Sequence, residues 1–579
     1  SLDATTTPKR VDLKGLSLAV GGLNLTLAGA IAGLDATPTF DLKGDTGQFP
    51  LGGLMRLLPA VKAGVPADVQ IAGNLQVGMH LKGSAKDLDA QVQIGISGAD
   101  LAVPGVTVRG SGRIAASAQG DPASNLATKV DMGLDGLEVK AGPDFYKPAG
   151  TPFSVNLDAT TAGANTTVRT LNVQIGPLAV KGSGSANGGV LNVNVDIPRF
   201  AVAGLTSIVP ALKDGPLARA TLGMKLAFKG DPGRPASVEA KMDDFYFAVG
   251  QSSLAGQLTV KNLDAPNVRF EFTSPHFELE EVVPPSDAPA AKDEGGGGPL
   301  PPIVQRIDAA GGLRIAKGKA VDIPFTDFVG TLTMQNGVVR FSKLQFRAYD
   351  GTFSAAPTEV NLSGPEPAFD LNVKMEKVDA NALLTDQADM PNTLTGRMNT
   401  DFQLKGRGDV WEKLAPTLTG ALGLALENGK LASLNLEGDI LGAIADKVPG
   451  LKANSAGGTA LRDLAARFTV QNGKLTLKQP ITTQTGSGPL ELDGAIGLDS
   501  SLHLTGTLTL SPDTIRRLSG GRAKVDAPVP VSVRIGGTLT DPKVSGVEGE
   551  KLALLLAAGA VGMLAGEQIE DAKKAAEAA

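Results

Sequence analysis

The chain has 579 residues, of which 42% are hydrophobic but only 4% aromatic, with 73 glycines, one tryptophan, three tyrosines and no cysteine. A net charge of −6 and a pI near 5.4, with no basic block, exclude a nucleic-acid surface built on phosphate contacts. The lack of cysteine excludes a disulfide framework and any cysteine-based metal site.

Length alone suggests about three to five compact domains. The apolar side chains, however, are mostly Leu, Val, Ile and Ala, spread evenly along alternating runs. That distribution suits a long sheet with one continuous apolar face better than several aromatic-rich cores. No run of eighteen apolar residues occurs, so nothing in the sequence reads as a membrane-spanning helix. The chain opens at Ser1 without Met or a signal peptide, and the expectation is a processed or truncated chain from which an N-terminal anchor has been lost.

In chain order, Leu16, Leu18 and Val20, then Leu23, Leu25 and Leu27, flank Gly21-Gly22 and predict a hairpin with one apolar face. Residues from Pro50 to Val61 have helical spacing. Val69 to Gly83, Ala90 to Ile96 and Leu191 to Ile197 alternate and predict strands. An internal repeat follows: Phe40, a helix and Leu81-Lys82-Gly83; Phe200, a helix over Leu205 to Leu212 and Phe228-Lys229-Gly230; Val378, a helix and Leu404-Lys405-Gly406. Gly73 and Gly83 share their spacing with Gly396 and Gly406, while Ala220 stands at the first glycine's place in the second copy.

Residues 284–302 are rich in Pro, Gly, Asp and Lys and predict a flexible linker between a region 1–283 and a region 303–547. Turns are expected at Asn336-Gly337, Asp350-Gly351, Asn428-Gly429 and Asn472-Gly473. Phe369, Leu371, Val373 and Met375 alternate with polar residues, and Asp379 is placed to cap a short helix. Leu436 to Val448 predicts a helix. So does 548–579, whose apolar part is too short to span a bilayer. Within it Leu552, Leu554, Leu555, Leu556, Met563 and Leu564 are candidates for docking at a membrane surface or a partner; the alternative is a plug over the last strand edge.

Sites of chemistry are not expected. His80, His276 and His503 lack metal-ligand neighbours and read as solvated strand positions, and Glu278, Glu280 and Glu281 as a solvated acidic face. Gly295 to Gly298 lacks the Lys-Ser/Thr of a phosphate loop, and Gly182-Ser183-Gly184 is expected in a turn. The chain reads as neither an enzyme nor a cofactor protein.

The run FTVQNGKLTLKQPITTQTGSGPLELDGAIGLDSSLHLTGTLTL, followed by PVPVSVRIGGTLTDPKVS, resembles the C-terminal part of AsmA-like envelope proteins. Asn472-Gly473, the small-residue turn at Gly486 to Gly488 and the close at Gly536 to Pro542 carry the resemblance. NGVVRFSKLQFRAYDGTFS is similar to the family's recurring hairpin. The resemblance covers about Ile307 to Val547. It implies a mainly β fold like that of TamB-like proteins, a long curled antiparallel sheet forming an elongated apolar groove with a few short helices. It also implies a periplasmic location, an inner-membrane anchor absent here, and a role moving phospholipid between inner and outer membranes. Membranes or membrane proteins at the two ends would be the partners.

Roughly 35 to 45 strands would extend on the order of 170 to 210 Å at the usual strand spacing. Expected on the groove wall are Phe369, Leu371, Val373, Met375, Leu502, Leu504, Leu508, Leu510, Val529, Val531 and Val533. Periodicity does not say what covers such a face. The same residues suit the filled core of a sandwich or barrel, as in a structural or adhesive envelope scaffold.

Overall fold

The computed structural model describes residues 1–554 apart from 21, 53–69, 214, 283–304, 321, 365, 409, 432–434, 448–458, 462–463, 522–524, 540 and 549–551. The linker expected at 284–302, most of the helix expected at Pro50 to Val61, and Leu555, Leu556, Met563 and Leu564 lie outside the described residues. The chain divides into two units, Ser1–Ser286 and Asp287–Ala579. Each is mainly β, and its strands pair antiparallel in a long curled sheet. No helix among the described residues is long and apolar enough to cross a membrane.

In the first unit, strands from Leu2–Thr7 to Asn267–Ser274 pair mostly with their sequence neighbours. The long strand Val106–Asp121 is one exception: one half pairs with Asn125–Gly133 and the other with Leu137–Ala141. Register shifts recur, at Leu13/Leu16, Ile96/Ala99, Ile197/Phe200 and Met242/Phe245. Each adds local right-handed twist, and repeated along the sheet they coil it.

Among its described residues the second unit holds the strands from Asp308–Ala320 to Pro542–Glu548 and four helices of seven residues or more: α1 (Ala380–Ala388), α2 (Trp411–Thr417), α3 (Leu436–Lys447) and α4 (Pro512–Leu518). Asp379 caps α1 as expected, its carboxylate accepting from the Ala382 amide at 3.0 Å. Ser511 caps α4 in the same way, with Pro512 at its first position.

Turn chemistry explains most of the hairpins. Asn336-Gly337 (φ 52° and 74°) and Asn472-Gly473 (φ 51° and 71°) have the paired positive angles of a tight primed turn. The turn expected at Asp350-Gly351 sits one residue earlier, on Tyr349 and Asp350. Asn428-Gly429 is not a turn. The strand Thr419–Leu431 runs through it, and both residues face the single Gly396, because Thr395 pairs with Lys430 and Arg397 with Glu427. Two residues opposite one make a bulge.

The three repeat copies are each a strand, a crossover and an antiparallel return: Phe40 pairs with Gly83, Phe200 with Leu222, and Val378 with Met398. The second crossover is not the expected α-helix. Pro210 and Pro216 break it into 3-10 turns at Val202–Leu205, Pro210–Leu212 and Pro216–Arg219. Gly182-Ser183-Gly184 lies inside the strand Leu178–Asn187, not in a turn.

Candidate functional site

The pairing register of the first unit aligns one residue from each of sixteen successive strands in a single cross-strand row. It runs Leu2, Leu16, Leu27, Gly44, Met79, Val92, Ala116, Val130, Leu157, Leu171, Gly182, Val195, Leu226, Met242, Leu258 and Phe270. Every member is apolar or glycine. A flanking row, Val77, Ile94, Ile114, Met132, Val155, Val173 and Val180, is apolar throughout. Fifteen interstrand steps at about 4.8 Å give on the order of 70 Å of continuous apolar surface.

Most of these side chains are half-buried, screened by strand neighbours but not covered by a second layer among the described residues. In this unit the buried cluster over the face is small: Val202, Ala220 and Val249, with Phe200, Leu212, Leu222, Phe247 and Val282.

The other face is polar by the same alternation. One of its rows reads Asp131, Asn156, Asn172, Lys181, Asp196, Lys225 and Asp243. Its charges are compensated: Lys225 donates to Asp244 at 2.6 Å, and that hydrogen bond holds the Asp244 carboxyl below the usual range. Open hollows of about 670 and 680 Å³ lie on this polar side, lined among others by Asp196, Lys225 and Glu271 and by Lys129, Asp131 and Asp158. Side chains engaged in ion pairs line them, Lys225 with Asp244 in the first and Asp158, the partner of Arg169, in the second.

The second unit has an apolar face of its own. Phe369, Leu371, Val373 and Met375 lie on it, half-buried, with Leu371 in a row that continues through Leu404, Gly420, Val470, Leu475, Ile496 and Leu502. The residues expected nearer the C-terminus share that face, but protein covers them. Leu502, Leu508, Leu510, Val529, Val531 and Val533 are 6% exposed or less, beneath Ile440, Leu441 and Ile444 of α3, Ile515 and Leu518 of α4, and Leu552. Leu504 is partly buried against the same cluster. Glu437 of α3 fixes the cover, accepting from the Ser487 hydroxyl at 2.5 Å and the Gly486 amide at 3.2 Å. Here the wall is a closed core. Leu552, considered for surface docking, is inside it, and Leu554 is 71% exposed.

The ionisable groups singled out in the sequence are not gathered into one site. His80 pairs with Asp41 at 2.8 Å and His276 with Glu278 at 3.0 Å, both half-buried rather than solvated, while His503 is exposed. Glu281 is a cap, not a solvated charge. It accepts from the Ser252 hydroxyl at 2.6 Å and from the amides of Gln251 and Ser252, because the turn at Gly250 (φ 58°) aims those amides at it. The hydroxyl bond, with the amides, holds its carboxyl below the usual range. Among the described residues no group of three His, Cys, Asp or Glu could hold a metal.

Sequence reasoning missed Lys147, which is fully buried and donates to the carbonyls of Asp135, Leu137 and Pro148 at 3.1, 2.5 and 3.3 Å. Burial pushes its ammonium below the ordinary lysine range, with the charge of Asp135 opposing. No local pattern marks it, since its partners are backbone atoms.

Residues 235–479 match the model of the AsmA family. A comparison with curated proteins finds no match.

Proposed function

Over residues 235–479 the chain is an AsmA-like protein, and from that premise we propose that its apolar face carries the acyl chains of phospholipid between the membranes of a bacterial envelope. The AsmA family is associated with envelope assembly and lipid transport. The observation that carries the reading is the sixteen-strand row from Leu2 to Phe270, apolar or glycine at every step and mostly half-buried. A sheet face of this kind needs a hydrophobic partner, and in the proposed role that partner is hydrocarbon.

Each methylene exposed to water costs about 0.8 kcal/mol, so one sixteen-carbon chain crossing water would cost on the order of 12 kcal/mol. Transfer from a bilayer to an apolar wall exposes far less of it. In this reading the chain is a conduit and not an enzyme, located in the periplasm.

Native mass spectrometry of the purified chain, with lipid extraction, tests the proposal. Several co-purifying phospholipids per chain support it. A lipid-free, soluble protein would refute it and leave the scaffold reading, which the closed core beneath α3 and α4 favours for that end alone.

A further inference from the structure

We propose that a lipid held on the apolar face of the first unit lies with its polar head over one particular rim of the sheet, the rim whose connections are all short. This rests on the acyl-binding reading of the face. The antiparallel order sends alternate connections to opposite rims. One rim carries the connections at 8–9, 33–38, 85–86, 122–124, 163–164, 188–189, 231–238 and 262–266. None of these is longer than eight residues, and Asp121–Asn125, Ala162–Asn165 and Asn187–Val190 are largely exposed.

The opposite rim has two-residue turns at 104–105, 176–177 and 250–251, but it also carries the long crossovers 134–152 and 202–220. These build a wall. Ile208, only 1% exposed, accepts at its carbonyl from the Tyr146 amide at 2.7 Å, joining one crossover to the other. Val202 and Leu212 of the second crossover pack down on Phe200, Leu222 and Phe247, which are on the apolar face. The cation available in the first crossover, Lys147, is consumed by three backbone carbonyls.

A head group must keep its hydrogen bonds, with water or with protein, while the tails leave water. The crossover rim offers it a mainly apolar ridge, with Val202, Leu205 and Ile208 buried and Tyr146 and Leu217 exposed, and its buried cation Lys147 is already bonded. The turn rim offers water within a strand's length of the row. The head therefore emerges at the turns, and the crossovers close the other side over the tails.

Two photoactivatable phosphatidylcholines test this on the full chain, one with a diazirine in the acyl chain and one with it on the head group, cross-link sites being mapped by peptide mass spectrometry. The tail probe should label peptides bearing Val130, Leu157 and Leu171. The head probe should label Asp121–Asn125, Ala162–Asn165 or Asn187–Val190 at least tenfold more than Pro148–Pro152 or Val202–Leu212. Equal labelling of both rims, or labelling centred on the crossovers, overturns the head-group assignment while the tail probe still upholds the acyl face. No tail labelling on the face overturns both.

Discussion

Leu157 sits at the middle of the sixteen-residue row, paired with Val130 on one side and Leu171 on the other. Replacing it by aspartate puts a carboxylate in the path of any hydrocarbon that moves along the face. The side chain is half-buried and uncovered, so an empty protein lets the new carboxylate reach water. The stability cost should be limited to lost apolar contact, about 1 to 2 kcal/mol. A passing acyl chain must instead strip that charge of water, a penalty of several kcal/mol. Taking about 3 kcal/mol, at 1.36 kcal/mol per decade, transfer should slow by roughly 100-fold. The assay is dequenching of a fluorescent phospholipid moved between vesicles by L157D, the parent chain and N172D, with thermal melts alongside. Asn172 is exposed on the polar face beside Lys181, so N172D should transfer like the parent. Parental transfer by L157D would remove the face from the lipid path. A melt showing L157D unfolded would mean that the face is packed core, and would refute the reasoning equally.

The closed end should respond differently. Val531→Ala, in a fully buried position beneath α3 and α4, should cost about 2 to 3 kcal/mol by chemical denaturation, clearly more than Leu371→Ala on the open face. Gly420→Ala should destabilise by about 1 to 3 kcal/mol, since its φ is 149° and a Cβ would collide with the Gln403 carbonyl oxygen; a melt unchanged by this substitution would contradict the register given for that strand. The folded-state pKa of Glu281 lies below its unfolded value, so its contribution is present above the ordinary glutamate range and is lost as pH falls through the folded value. Glu281→Gln should therefore lower stability at neutral pH and make it less sensitive to acid below about pH 4.5, read from urea midpoints across pH. Equal midpoint losses at pH 7 and pH 3 would show that the carboxylate's charge is irrelevant there.

Alternation is a local property, so the strands and their apolar faces were legible in the residues, as at Phe369 to Met375. Asp379 and the Asn-Gly turns at 336 and 472 were legible for the same reason. Asn428-Gly429 misled because the dipeptide suits any positive φ, and the bulge depends on the partner residue Gly396, distant in sequence. Register was out of reach likewise: Met79 and Val195 belong to one row only through the strands between them. Periodicity also left open what lies on a face. Val531 and Val373 read alike in sequence, yet one is under two helices and the other is not. Glu281 and Lys147 bind backbone groups placed by turns, and no side-chain motif announces such partners.

The two glycines of the long row have a wider consequence. Gly44 lies between Leu27 and Met79, whose side chains lean over it, and Gly182 lies beside Leu171. Neighbours thus fill the gap that a missing side chain would leave, and the surface stays level. In the proposed role such a surface has no trap and no slope of its own. It behaves as a passive conductor, with flux proportional to the difference in lipid chemical potential between its ends and reversible when that difference changes sign. Direction would then be imposed by whatever supplies lipid at one end and consumes it at the other.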